Sequence, residues 1–127
     1  MAEAATDADA FVNDPRFNQK FDLLPSQGSN RDHTIKVTYA DYGYRNEAHP
    51  EEETVLLWFS PMMASRWIGI LRDERARREK IRIISIDRPG MGGTDAVSGE
   101  SRIRICRGMS AFLIQLHTRK LFLRIVC

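Results

Sequence analysis

Cysteine is scarce in this chain. It occurs twice, at Cys106 and Cys127, so no disulfide framework can be drawn. No Cys/His spacing fits a zinc site, and no metal is expected. Met1 to Ala10 is small and acidic, without an apolar stretch. That composition is neither a secretory signal nor a membrane span. With no targeting signal, a cytoplasmic location is the default expectation. Clustered lysine and arginine are missing too, as is any recognised nucleic-acid motif, so nucleic acid is not an expected partner. The glycine-rich stretch fails both phosphate-binding patterns. Gly90-Met91-Gly92 places Asp95 where a dinucleotide fingerprint needs its third glycine, and no Gly-Lys-Ser/Thr follows. No cofactor is expected.

What is present is ordinary globular material. The 127 residues suffice for one domain with a modest core. Hydrophobic residues make up 43% and charged residues 28%. The net charge of +2 hides an asymmetry. Residues 1–30 hold Arg16 and Lys20 against Glu3, Asp7, Asp9, Asp14 and Asp22. Residues 102–127 hold six basic residues and no acidic one, interleaved with Ile, Leu, Phe and Val.

The apolar pattern gives the elements. Residues 1–12 are Ala, Asp and Glu without period, and 1–19 is expected to be disordered or weakly structured. Asp14-Pro15 suggests a short helix with Phe17 and Phe21 one turn apart. Ile35, Val37 and Tyr39 alternate with Thr34, Lys36 and Thr38, as in a half-exposed strand. Thr54 to Phe59 is continuously apolar, which suits a strand buried on both faces. Ala64, Trp67, Ile68 and Leu71 recur at helical spacing and predict a helix over 63–79, with Glu74 and Arg78 as a favourable pair. Ile81 to Ile86 is a buried strand. Ile105, Met109, Phe112, Leu113 and Leu116 predict an amphipathic helix, weakened by Gly108 by about 1 kcal/mol. Leu121 to Val126 predicts a last strand. The order β, β, α, β, α, β demands a mostly parallel sheet flanked by helices.

Two turns are candidates for chemistry. The first is Asp87-Arg88-Pro89-Gly90-Met91-Gly92-Gly93-Thr94-Asp95. Three glycines within four positions permit positive φ or a close backbone approach. It is either a plain turn after a strand or part of a site. The second is Ser60-Pro61, at the end of the strand 54–59. It either ends the strand or forms a turn whose backbone N–H faces a reacting group.

These residues resemble the α/β-hydrolases, of the AB hydrolase-1 type. The most specific match is Asp87 to Asp95, similar to the family's "D-x-P-G-x-G-x-S/T-D" loop, with Asp87, Pro89, Gly90 and Gly92 as its structural marks. Phe21 to Pro25 with Val37 to Gly43 looks like the family's opening hairpin. Ser65-Arg66-Trp67 looks like the start of the helix after its oxyanion turn, and Arg102-Ile103-Arg104 like the start of the next helix. The likeness covers residues of about 20–115, with 102–127 a divergent stretch. It implies an incomplete α/β-hydrolase fold in which 20–127 is the N-terminal portion of the domain. The implied strand order is 34–41, 81–86, 54–59, 120–126. The implied chemistry is hydrolysis of an ester- or amide-like bond through a serine acyl intermediate. Ser60 falls on the oxyanion residue, with Trp58 and Phe59 where the family has His-Gly.

The departures are as specific as the matches. The chemistry needs a serine on a G-x-S-x-G turn, then an acid, then a histidine. No G-x-S-x-G occurs. Ser110 lies inside the amphipathic segment, His117 has no acid downstream, and His33 and His49 precede every candidate nucleophile. Cys127 falls near the nucleophile position, but nothing follows it to complete an oxyanion hole. No catalytic residue is therefore assigned, and the chain alone is expected to be inactive. A small acyl substrate is expected only for a complete member. The basic tail suggests a truncated or misassembled reading frame, which transcript sequencing tests. The last strand would form an open sheet edge available for self-association, so the alternative reading is a truncated non-enzymatic partner or a non-productive gene product.

Overall fold

The computed structural model describes residues 2–25, 33–59, 64–97 and 120–124. Helix α1 spans Ala2–Asn13. The segment expected to lack structure is thus helical. Its alanines favour a helix, and Phe11 docks it by packing on Phe17 and Trp67, at ring separations of 4.9 and 5.5 Å. Asp14 stops the helix in extended geometry and accepts a bond from Arg16 N.

Only a 3-10 turn, Pro15–Phe17, follows. Strand β1 (Gln19–Leu23) takes the residues expected to continue a helix, because they pair with β2 (Ile35–Gly43). Phe17 and Phe21 consequently enter different cores. Phe21 packs beside Tyr39, while Phe17 stacks on Tyr42 at 4.7 Å.

Strand β3 spans Thr54–Phe59, β4 Ile81–Ile86 and β5 Lys120–Arg124. The sheet order is β1-β2-β4-β3-β5. The sheet is mixed and not mostly parallel. β2 runs antiparallel to β1 and to β4, whereas β3 is parallel to β4 and to β5. Strand–helix–strand logic governs the step from β3 to β4, where a helix lies between. It does not govern β1 and β2, which precede that unit.

The strands feed two cores. Val55, Leu57, Phe59, Ile84 and Ile86 fill one face with Ile35 and Val37. Ala40, Tyr42, Ile83 and Ala76 fill the other with Phe17. β2 is half-exposed only at its start, since from Thr38 onward both faces are covered. β3 alternates, with Thr54, Leu56 and Trp58 half-buried.

The segment after β3 holds a 3-10 turn (Arg66–Gly69) and then helix α2 (Ile70–Arg78). Its buried stripe differs from the expected one. Gly69, Asp73 and Ala76 face the sheet, and Leu71 is 79% exposed. The approach is too close for larger residues. A Cβ on Gly69 would stand 2.4 Å from the Tyr42 ring. Asp73 reaches the sheet usefully, accepting from Gly43 N at 2.7 Å. The helix ion pairs are Asp73–Arg77 and Arg75–Glu79, in place of the expected Glu74–Arg78. The predicted helix over 105–116 lies outside the described residues.

Candidate functional site

The loop after β4 is built by its own turns. Met91 N bonds Arg88 O at 2.9 Å, with Pro89 and Gly90 between them. Proline presets the first φ, and Gly90 supplies φ +78° for the next. Thr94 N then bonds Met91 O at 3.1 Å across Gly92 and Gly93. Gly92 has φ +55°, and a Cβ there would lie 2.2 Å from Asp87 Oδ2. The glycines thus serve both positive φ and close approach.

The loop is stitched to β2. Asp87 N donates to Thr38 O at 3.0 Å, and Asp95 N to Lys36 O at 2.9 Å. Lys36 N returns a bond to Asp95 Oδ2 at 2.7 Å. Thr38 N donates to Thr94 Oγ1 at 3.0 Å, and Thr94 Oγ1 to the Asp87 carbonyl at 3.1 Å.

At the centre is the Asp87 carboxylate, fully buried. Oδ1 accepts from Arg66 N at 2.6 Å. Oδ2 accepts from Arg66 Nη1 at 2.6 Å and from Thr38 Oγ1 at 2.5 Å. The Arg66 guanidinium also donates to Phe17 O at 2.8 Å and Asn18 Oδ1 at 2.9 Å, and lies over the Trp67 ring. One arginine therefore ties the N-terminal segment, the 3-10 turn and the loop together. Both Asp87 oxygens are engaged by these donors, which ties the loop to the 3-10 turn and to β2.

Tyr42 completes this wall. Its hydroxyl donates to Arg66 O at 3.1 Å. Burial pushes its phenol well above the usual range, despite the opposing pull of Arg66.

The register places Phe59 beside Ile86, so β3 and β4 end together. Ser60, the oxyanion candidate, follows directly, and with Pro61 it lies outside the described residues. Ser110, His117, Cys127 and Arg102 to Arg104 lie outside them as well. His49 sits before the start of β3, exposed, with Nδ1 3.3 Å from Glu51. That is the opposite end of the strands from Asp87. His33 is exposed, before β2.

The amino end of β4 carries a second charged group. Arg82 bonds both oxygens of Asp41, at 3.0 and 2.7 Å, and Glu53 Oε2 at 3.0 Å. Burial opposes the Arg82 charge, yet its bonds to Asp41 and Glu53 outweigh that, and its pKa is raised. Among the described residues, no group of three or more His, Cys, Asp or Glu is placed to hold a metal ion. No helix there is long and apolar enough to cross a membrane.

Residue reasoning found the Asp87 loop but not its partners. Arg66 was visible only within the Ser65-Arg66-Trp67 triplet, and Thr38 as an outward residue of a strand. The only signal for either was the resemblance.

Solved structures of the α/β-hydrolase fold share this strand arrangement over part of their length. The chain is similar to a bromoperoxidase from Bacillus anthracis (TM-score 0.59, 17% identity, covering 84% of this chain and 33% of that one). It is also similar to an epoxide hydrolase from Vigna radiata (0.57, 17%, 85% and 32%). An esterase from Exiguobacterium antarcticum gives 0.53 at 19% identity, covering 70% and 31%. At these identities the likeness is one of fold. The chain spans about a third of the length of these proteins. No protein-family model and no curated protein sequence matches it.

Proposed function

We propose that this chain is the N-terminal scaffold portion of an α/β-hydrolase domain, whose complete form cleaves an ester- or amide-like bond through a serine acyl intermediate. The observation that carries this reading is the Asp87 loop, locked at the carboxyl end of β4 where β3 also ends. In α/β sheets, ligands bind outside the carboxyl ends of strands. The chain contributes that floor and, through Ser60 N–H, one oxyanion donor. It has no G-x-S-x-G and no acid–histidine pair in the required order, so alone it is inactive. The similar proteins are named as an epoxide hydrolase, a bromoperoxidase and an esterase. That spread leaves the substrate open. The purified chain is expected to show no turnover of a short acyl-chromophore ester. Turnover abolished by a serine-directed phosphonate would overturn the reading.

A second reading is a non-enzymatic partner associating through the sheet edge. It is favoured by β5, the last strand in the order, which pairs only with β3 among the described residues. Unpaired strand edges recruit further strands. Light scattering tests it, since a clean monomer at micromolar concentration counts against it.

A further inference from the structure

One row across the second core face sets two small side chains beside a tryptophan. The register sets Ala40 of β2 opposite Ser85 of β4, and Ser85 opposite Trp58 of β3. The row on the amino side of β4 is bulkier, with Tyr42 and Leu56 flanking Ile83. On the other side stand Thr38 and Asp87, joined to each other. Ala40 and Ser85 are fully buried. The turn Arg66–Gly69 packs against β2 and β4.

Two polar atoms in this row stand out. Trp58 Nε1 and Ser85 Oγ are enclosed and have no hydrogen-bond partner among the described residues. They come from facing positions on adjacent strands, so their side chains leave the same face of the sheet. Enclosed polar groups are nearly always paired, and each exception calls for a reason. The indole N–H can only donate, whereas the hydroxyl donates or accepts. A shared partner must therefore accept from Trp58 and either give to or take from Ser85. A water oxygen does both. Buried waters occupy sites that offer such otherwise unpaired groups.

We propose that Trp58 Nε1 and Ser85 Oγ hold one enclosed water molecule between β3 and β4, near the carboxyl ends of both strands. The water fixes the Trp58 ring, over which the Arg72 guanidinium lies at 4.2 Å. Trp58 is the second-last residue of β3, so the site steadies the end of that strand. The proposal stands apart from the acyl-transfer reading.

The test uses the full chain labelled with 15N. It has two tryptophans, and Trp67→Phe assigns the Trp58 indole N–H. That proton should show a cross-peak to water with the sign of a bound, slowly exchanging molecule. Ser85→Val, which replaces the hydroxyl by methyl groups, should abolish it. No cross-peak in the unsubstituted chain overturns the proposal. So does its survival in Ser85→Val. Should the variants not fold, a crystal structure of the unsubstituted chain decides. A water within hydrogen-bond distance of both atoms supports the site, and direct contact between Nε1 and Oγ overturns it.

Discussion

Arg66 grips both oxygens of Asp87, its backbone N–H on Oδ1 and its guanidinium on Oδ2, each at 2.6 Å. The aspartate is fully buried and the arginine side chain 12% exposed. Breaking such a pair from one side strands a buried charge, at about 3–5 kcal/mol. Asp87→Asn should destabilise the chain by that order, read from urea midpoints. Arg66→Met combined with Asp87→Leu should cost less than the sum of the single changes, because neither charge is left alone. Additive losses would argue against a coupled pair.

The two positive-φ glycines of the loop should not respond alike. Among the described residues an alanine at Gly90 meets only Ala96, at 3.7 Å, so the left-handed φ dominates, at about 1–2 kcal/mol. An alanine at Gly92 adds a 2.2 Å clash with Asp87 Oδ2. Gly92→Ala should therefore be clearly the more destabilising in denaturant unfolding. Equal losses would mean that Asp87 can move aside.

The buried stripe of α2 makes a third pair of variants. Leu71→Lys should change stability by no more than about 0.5 kcal/mol, as an exposed position does. Ala76→Leu should cost about 1–3 kcal/mol or more, since overpacking forces the helix off the sheet. Thermal unfolding ranks the two, and the reverse ranking would restore the stripe read from apolar spacing.

Tyr42 predicts an alkaline limb. Its phenol is pushed above the ordinary value of 10.0, chiefly by burial. Below that value the group is protonated in both states, and its contribution is fully present. As pH rises past it, the unfolded chain loses the proton while the folded chain keeps it, so stability falls. Tyr42→Phe should flatten this loss above about pH 10. It should also cost about 1 kcal/mol at neutral pH, for the bond to Arg66 O. Stability against pH, followed by circular dichroism, checks both.

Much of the scaffold was legible in the residues. The apolar runs at 54–59 and 81–86 gave two central strands, and the family likeness gave their neighbours in the right order. The loop announced itself through Pro89, Gly90 and Gly92. The small residues of α2 were not legible. Apolar spacing points to large residues, and here closeness to the sheet selected Gly69 and Ala76. The β1 residues were misread as helix because Phe17 and Phe21 carry helical spacing, while the strand they join is set by pairing with β2, remote in sequence.

The sequence alone determined where the central strands and the turn after Ile86 fall, since apolar period and turn residues are local properties of the chain. The tertiary structure decided strand direction, the face that each helix residue presents, and the role of Asp87. A carboxylate after a strand is equally a base or an anchor. Only the arrival of Arg66 and Thr38 from distant positions commits both of its oxygens, and long-range contacts of that kind leave no local pattern.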